Sequence, residues 1–268
     1  MGIIQQLPDD VAIKIAAGEV VERPASVVKE LVENALDAGA TQITVTLKDG
    51  GKTLIEVRDN GSGMGRDDAV AAFLRHGTSK IRSVDDLTHV TTLGFRGEAL
   101  AAIAASAEIE LITTRTNDAE GTVVTVVHGE VSPARPHAPV GGTTIRVQNL
   151  FAALPVRQKF LKSDPTEWKA SVEVITKQLV ANPEVGFIIK HNDRTVFDVP
   201  ADQSFCDRVA AIWGVAASAL VSVDSEVPHI ALQGVVGTPE LAHEAKGKQF
   251  FAVNGHPITD KMLARSIR

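Results

Sequence analysis

The clearest pattern of apolar and polar residues runs from Pro24 to Ala38. Apolar side chains recur at helical spacing and predict a helix that packs into a core, at positions 27, 28, 31, 32, 35 and 36. Pro24 suits the first turn of this helix, and Gly39 suits its end. Glu30 and Asn34 are four residues apart, so they lie close together on the polar edge. Asparagine is unfavourable inside a helix, and a ligand would explain its presence there.

Alternating apolar and polar residues predict that the rest of the chain mixes strands and helices. Residues 43–47 and 54–58 are predicted to form a hairpin that ends at Asp59. The stretch from Arg66 to Leu100 is irregular, which is typical of a lid or a binding loop, and a helix begins at Glu98. Further strands are predicted at 108–115, 122–127, 143–148 and 187–191, and further helices at 9–17, 68–75 and 165–180.

A second unit is predicted to begin near residue 201. So few elements would give it a thin core, which is expected if the unit is truncated at Arg268. Its predicted elements are a helix at 205–213, strands at 221–223, 230–236 and 250–253, and a final helix at 259–267.

Composition and charge exclude several classes of protein. The chain has 27 basic and 33 acidic residues, a net charge of −6, which argues against a surface devoted to nucleic acid but allows local basic patches. Aromatic residues make up 4% and tyrosine is absent, which argues against a protein that stacks successive bases. No apolar run approaches a membrane span, and the N-terminus lacks the features of a signal peptide, so a cytoplasmic location is expected. The single cysteine, Cys206, is expected to be an inert core thiol.

Catalytic motifs of several common enzyme classes are also missing from the sequence. The eight histidines do not pair with cysteine or carboxylate at metal-ligand spacing. No Gly-x-Ser-x-Gly elbow occurs, so nucleophilic catalysis has little support. A dinucleotide fingerprint would need glycine at position 66, which is occupied by Arg66. A P-loop ending at Gly51-Lys52-Thr53 would need glycine at position 46, which is occupied by Thr46.

Two glycine-rich segments remain as candidate binding loops. The segment Asp59-Asn-Gly-Ser-Gly-Met-Gly is compatible with an ordinary turn or with a binding loop. Residues 93–100 run from a glycine-rich turn into a helix, a geometry that offers N–H groups to a phosphate, although a flexible connector is the alternative. Thr78, Ser79 and Lys80 add hydroxyl donors and a cation to the same irregular stretch, whereas Gly141-Gly142-Thr143-Thr144 alone would be an ordinary loop.

Taken in this order, the segments resemble the Bergerat-fold (GHKL) ATPases, the superfamily of the gyrase B subunit, heat-shock chaperone, histidine kinase and MutL. The block from Ile15 to Asn34 is similar to the MutL mismatch-repair family specifically. So are Arg75 to Ile81, Leu93 to Leu100, and Phe251-Ala-Val-Asn-Gly255. The resemblance covers essentially the whole chain.

The resemblance implies a role for each matching residue. Glu30 matches the general base that orients a water against the γ-phosphate, and Asn34 matches the residue whose amide oxygen binds Mg²⁺. Asp59 matches the carboxylate that accepts the adenine amino hydrogen, aided by Thr143 through water. The full nucleotide-binding set that it implies is Asn34, Asp59, Gly61, Gly63, Met64, Thr78, Ser79, Lys80, Leu93, Gly94, Phe95, Arg96, Gly97, Glu98, Ala99, Leu100 and Thr143.

The same resemblance implies an α+β fold and a domain division. Residues 1–200 would form a two-layer α/β sandwich of the Bergerat type with a mixed sheet and an ATP lid at about 76–97. Residues 201–268 would form part of a second, transducer-like α/β domain of the ribosomal-protein-like βαβ type.

The implied activity is an ATP- and Mg²⁺-dependent switch that couples mismatch recognition to strand excision. Implied partners are a mismatch-recognition protein of the MutS type, downstream helicase, endonuclease and clamp factors, DNA bound without sequence preference, and a second copy of the chain. The implied location is the bacterial cytoplasm, where the protein would associate with the nucleoid when it is active. Two alternatives stay open, a gyrase-type ATPase and a DNA-binding scaffold that holds nucleotide without turning it over.

The chain departs from the family pattern in two places. The family's Phe-Tyr-Asn-x-Pro-Ala-Arg segment is Phe151-Ala-Ala-Leu-Pro155-Val-Arg157 here. The family's Val-Asn-Val-His-Pro-x-Lys stretch, whose lysine reaches the γ-phosphate, does not occur in the chain. Slow hydrolysis is therefore expected, and no strand nicking is expected because any endonuclease motif would lie in a missing C-terminal domain.

Overall fold

The computed structural model describes residues 20–74, 77, 97–127, 129–243 and 249–266. The predicted helix at 9–17 lies outside this part of the chain, as do all residues of the predicted lid at 76–97 except Gly77 and Gly97.

The first described helix, α1 (Pro24–Asp37), has the predicted position to within one residue. Its apolar stripe, which includes Val28 and Leu31, is buried, and Gly39 follows its end with a φ of 71°. Arg23 precedes the helix and donates from Nε and Nη2 to Glu167 Oε2 at 3.0 and 2.9 Å. Because the carboxylate of Glu167 is almost fully buried, this pair anchors the start of α1 to the helix that carries Glu167.

The main sheet is mixed, as predicted. Its strands are β1 (Gln42–Lys48), β2 (Leu54–Asp59), β3 (Glu108–Thr114), β4 (Gly121–Val127), β5 (Glu130–Val131), β6 (Arg135–His137), β7 (Gly142–Gln148), β8 (Gly186–His191) and β9 (Arg194–Val199). They lie in the order β5-β4-β3-β7-β2-β1-β8-β9, with β6 beside β4. Strands β1 and β8 are parallel, whereas β1 with β2, β2 with β7 and β3 with β7 are antiparallel.

Helices cover one face of this sheet and form the second layer. The helices that follow α1 in this unit are α2 (Arg66–Ala71), α3 (Ala99–Ala104), α4 (Pro155–Phe160) and α5 (Asp164–Ala181). Helix α1 packs against α5 and β2. Buried and partly exposed residues alternate along β1, which is the pattern of a sheet with one face against a core. The core joins Leu31 of α1 and Leu179 of α5 to Val45 and Val57 of the sheet.

Some predicted elements differ from the observed ones. The helix predicted at 68–75 spans Arg66–Ala71, because Gly65 is extended and two acidic residues, Asp67 and Asp68, favour the first turn. Helix α4 and strands β5, β6 and β9 were not predicted. For β9 the sequence held a signal, since Asn192 and Asp193 are residue types that tolerate the positive φ of a tight hairpin turn, and both adopt it here. The other predicted strands and helices of this unit are confirmed to within one residue.

The described residues after 200 include a longer helix, two hairpins and a short last helix. The helix predicted at 205–213 is confirmed, and the last helix begins later than predicted because Asp260 Oδ1 accepts the N–H groups of Met262 and Leu263. Cys206 is only partly buried, so the prediction of a core thiol is wrong. The elements are α6 (Phe205–Trp213), β10 (Leu220–Val227), β11 (Ile230–Gly237), β12 (Phe251–Val253), β13 (His256–Ile258) and α7 (Lys261–Ser266).

The βαβ arrangement and the domain boundary near residue 201 remain predictions. In the part of the chain that the structure describes, no helix has both the length and the apolar character needed to cross a membrane.

Candidate functional site

The end of α1 is attached to the loop that follows β2. The backbone N–H of Ser62 donates to the carbonyl oxygen of Ala38 at 2.9 Å. Ala38 in turn donates its N–H to the carbonyl oxygen of Asn34, one helical turn earlier. Glu30 lies one further turn back along the same edge. The structure therefore brings the predicted Glu30–Asn34 edge and the Asp59 loop to the same end of the sandwich.

Charged residues surround the edge of α1. Glu30 is partly exposed, and Lys29 Nζ lies 3.9 Å from Glu30 Oε1 and 3.6 Å from Glu33 Oε2. Glu33 is buried and accepts a hydrogen bond of 3.0 Å from Gln178 Nε2 on α5. Burial raises the pKa of Glu33 from its ordinary value of 4.5 to about 7, and Lys29 only partly opposes this shift.

Glu33 was not identified from the sequence. Its position lies on the polar side of α1, away from the apolar stripe, so the helical pattern gave no sign of its burial.

Asp59, the last residue of β2, is a buried carboxylate. Its Oδ1 accepts the backbone N–H of Gly61 at 2.8 Å. Desolvation raises the pKa of Asp59, while hydrogen bonds from the backbone N–H groups of Gly61 and Thr143 lower it. These bonds hold the carboxylate at the strand end, where its side chain can accept a donor from a bound molecule.

A row of polar side chains continues from Asp59 across the next two strands. Thr143 on β7 is directly opposite Asp59, and Thr113 on β3 is directly opposite Thr143. Opposite residues of neighbouring strands project from the same face of a sheet, so the three side chains form one row. Thr113 was not identified from the sequence, because the strand that carries it shows only apolar and polar alternation.

Glycines in this region allow backbone segments to approach each other closely. A Cβ on Gly61 would lie 2.7 Å from the Ala38 carbonyl oxygen. Gly63 has a φ of 63°, and a Cβ there would clash with the Thr114 carbonyl group. A Cβ on Gly142 would lie 2.3 Å from the Asp59 carbonyl oxygen. These contacts account for the three glycines through the packing of the loop itself.

The segment that departs from the family pattern lies beside the start of α1. Phe151 is fully buried with a φ of 64°, and its N–H donates to the Ser106 carbonyl oxygen at 2.8 Å. Arg157 Nη1 donates to the Val21 carbonyl oxygen at 3.1 Å, and its guanidinium lies 5.9 Å from the centre of the Phe151 ring. Arg157 therefore supports the chain leading into α1.

Several predicted site residues lie outside the described part of the chain, namely Thr78, Ser79, Lys80, Leu93, Gly94, Phe95 and Arg96. Gly97 has a φ of 60°, and Glu98 precedes α3, which begins at Ala99 and includes Leu100. Met64 is partly buried, and its N–H donates to Thr113 Oγ1 at 2.9 Å. No group of three or more metal-ligating His, Cys, Asp or Glu side chains occurs within the described residues.

The sequence is similar to a family of ATPases and to bacterial repair proteins. A family described as histidine kinase-, DNA gyrase B- and HSP90-like ATPase matches residues 22–136. The DNA mismatch repair protein MutL of Parabacteroides distasonis is 44% identical over 269 residues, which cover 98% of this chain and 44% of that protein. MutL of Christiangramia forsetii is 45% identical over 266 residues, which cover 99% of this chain and 43% of that protein. The chain thus spans less than half the length of these relatives.

Two solved structures share the fold. The Aquifex aeolicus MutL ATPase domain complexed with ADP has a TM-score of 0.70 and 30% identity, with 92% of this chain and 87% of that chain covered. The N-terminal domain of a DNA repair protein has a TM-score of 0.81 and 28% identity, with 97% of this chain and 82% of that chain covered. The predicted two-layer ATPase fold is therefore confirmed. These similarities in sequence and structure show that the chain belongs to the MutL family of DNA mismatch repair proteins.

Proposed function

We propose that this chain binds ATP together with Mg²⁺ and hydrolyses the nucleotide to ADP and phosphate. The observation that carries the proposal is the placement of Asp59 and Thr143 on one face of neighbouring strands, with the Glu30–Asn34 edge attached to the same loop by the Ser62–Ala38 hydrogen bond. The similarity to an ATPase domain complexed with ADP supports it.

The proposed roles follow from the chemistry of each side chain. Asp59 accepts the amino hydrogen of adenine, and the backbone N–H groups on its carboxylate hold it in place. Glu30, at the partly exposed edge of α1, orients the attacking water and accepts its proton. Residues 78–80 and 93–100, of which only 97–100 are described, are proposed to contact the phosphates.

The amide oxygen of Asn34 on α1 is the proposed protein ligand of the magnesium ion. Mg²⁺ prefers oxygen ligands and is usually held by one or two protein groups together with phosphate oxygens. The amide oxygen of Asn34 would be such a ligand, one turn from Glu30. The ion would supply neutralisation of charge on the phosphates.

The chain corresponds to less than half of its MutL relatives, so the role of the whole protein is also a proposal. We propose an ATP-driven switch that acts between a mismatch-recognition protein of the MutS type and downstream excision factors. The lid at about 76–97, dimerisation, the absence of endonuclease activity and a location in the bacterial cytoplasm belong to the same proposal.

Two variants test the ATPase proposal. Glu30→Gln should still bind ATP but lose turnover by roughly 10²–10⁴-fold, because a positioned base contributes about that factor. Asp59→Ala should lose binding, because the adenine amino group would be buried without an acceptor. Calorimetric titration with nucleotide and single-turnover phosphate release measure the two steps. Glu173→Gln on the exposed side of α5 is the matched control and should behave as the parent.

The results also separate an enzyme from a scaffold that holds nucleotide. Phosphate release by Glu30→Gln at the parent rate would exclude Glu30 as the base. Nucleotide binding without phosphate release by the parent would favour the scaffold.

A further inference from the structure

Thr113 is fully buried on β3 and joins two parts of the candidate site. Its Oγ1 accepts the backbone N–H of Met64 at 2.9 Å, which fixes the loop after Asp59. The same Oγ1 lies 3.0 Å from Thr143 Oγ1 and 3.3 Å from the Gly142 carbonyl oxygen. A second bond ties this loop to the chain after β3, since Thr116 N–H donates to the Ser62 carbonyl oxygen at 3.0 Å. Thr113 is thus placed between the loop and the Thr143 hydroxyl.

The hydrogen positions in this chain of contacts follow from counting donors. Thr113 has one hydroxyl hydrogen, and Met64 already donates to its oxygen. The hydrogen of Thr113 can go to Thr143 Oγ1 or to the more distant Gly142 carbonyl oxygen. The shorter contact favours donation to Thr143, which leaves the hydrogen of Thr143 free for another acceptor.

We propose that Thr113 is a positioning residue that sets the direction of the Thr143 hydroxyl and thereby the choice of base. The inference rests on the proposed nucleotide function. Asp59 is an acceptor, and Thr143 oriented by Thr113 is a donor beside it. Adenine presents a donor amino group next to an acceptor ring nitrogen, which complements this pair directly or through water. Hypoxanthine presents the opposite pair, a carbonyl acceptor next to an N–H donor, and is rejected.

The test compares ADP with IDP, which differ in this edge of the base and are not hydrolysed. Dissociation constants are measured by displacement of a fluorescent ADP analogue from the parent and three variants. Thr113→Val removes the hydroxyl at nearly constant shape, Thr113→Ser retains it, and Thr122→Val removes a buried hydroxyl one strand further along the row. Using the ratio of the two dissociation constants cancels losses from general destabilisation.

We expect the parent, Thr113→Ser and Thr122→Val to prefer ADP over IDP to the same extent. In Thr113→Val the ratio of the two dissociation constants should fall roughly tenfold, which is the effect of about one buried hydrogen bond. If Thr113→Val does not fold, Thr113→Ala takes its place. A parent that prefers ADP and a valine or alanine variant with the same preference would overturn the inference and leave the proposed function standing. A parent that binds neither nucleotide would overturn the proposed function as well.

Discussion

At the scale of single residues, the buried carboxylate of Glu33 is the least expected feature. It lies between α1 and α5 with Gln178 as its hydrogen-bond partner and Lys29 at 3.6 Å. Desolvation, helped by the negative charges of Glu30 and Asp37, favours its protonated form and outweighs Lys29. Because Lys29 also lies near Glu30, the charge of Glu33 is coupled to the proposed catalytic edge.

The raised pKa of Glu33 predicts a dependence of stability on pH. Its pKa is about 7 in the folded protein and near 4.5 when exposed, so its contribution is fully present below pH 4.5 and is lost as the pH rises through 7. Glu33→Gln should abolish this loss, which is at most roughly 3 kcal/mol between pH 5 and pH 8. Urea denaturation of both proteins at four pH values measures the difference. Glu173→Gln should lose stability with pH as the parent does. If Glu33→Gln loses as much stability between pH 5 and pH 8 as the parent, Glu33 is not the group responsible.

At the scale of elements, Arg208 connects α6 to the end of the main sheet. It is fully buried, and the two N–H groups of its Nη2 are shared among the carbonyl oxygens of Pro183, Val185 and Pro200, which lie 2.8, 2.8 and 2.7 Å from Nη2. Its Nε and Nη1 have no hydrogen-bond partner among the described residues. Among the described residues, the hydrogen bonds of this buried guanidinium all go to backbone carbonyl groups, and Glu184 supplies a favourable negative charge. The side chain therefore links segments on both sides of residues 200–204.

Loss of Arg208 should loosen this connection. Arg208→Met keeps the length of the side chain but leaves the buried carbonyl groups without their donor, at a cost of about 1–3 kcal/mol. Cleavage by a nonspecific protease within 200–204 should therefore become faster, as measured by limited proteolysis with mass spectrometry. Arg194→Met on the exposed strand β9 is the control. Unchanged cleavage and unchanged unfolding in Arg208→Met would show that α6 is held by its apolar contacts alone.

At the scale of the whole molecule, the partly exposed face of the sheet carries a cluster of one arginine and two glutamates. Arg146 on β7 donates to Glu56 on β2 and to Glu110 on β3, both at 2.6 Å. Because this cluster has two carboxylates to one guanidinium, it does not itself attract a phosphate backbone. Lys159 and Lys162 are exposed near the end of α4, and they are a basic pair whose local field can still act on DNA.

DNA binding should therefore be weak, independent of base sequence and steeply dependent on salt. Replacing Lys159 and Lys162 by glutamate should weaken binding at low salt and lower the slope of log affinity against log salt by about 2. Replacing Lys48 and Lys177 by glutamate changes the net charge equally at lysines that already pair with Asp193 and Glu173. Fluorescence anisotropy with two unrelated duplexes measures the effect. Equal losses in the two double variants would assign binding to net charge alone.

The sequence by itself determined the local elements and several residues of the candidate site. The apolar stripe of α1 predicted the edge that carries Glu30 and Asn34, and Pro24 and Gly39 predicted its limits, because both signals depend on residues that are near in sequence. The turn-forming residues after β2 placed Asp59 at a strand end for the same reason.

Only the tertiary structure decided which strands are neighbours and what surrounds each side chain. Strand β7 lies between β2 and β3, so Asp59, Thr143 and Thr113 share a row although they are far apart in the chain. The buried state of Glu33 likewise depends on Gln178 of α5, 145 residues away. Alternation along a strand specifies which face a residue occupies but not which strand pairs with it. Strand order and burial therefore arise from packing between distant segments, and a local sequence pattern does not specify that packing.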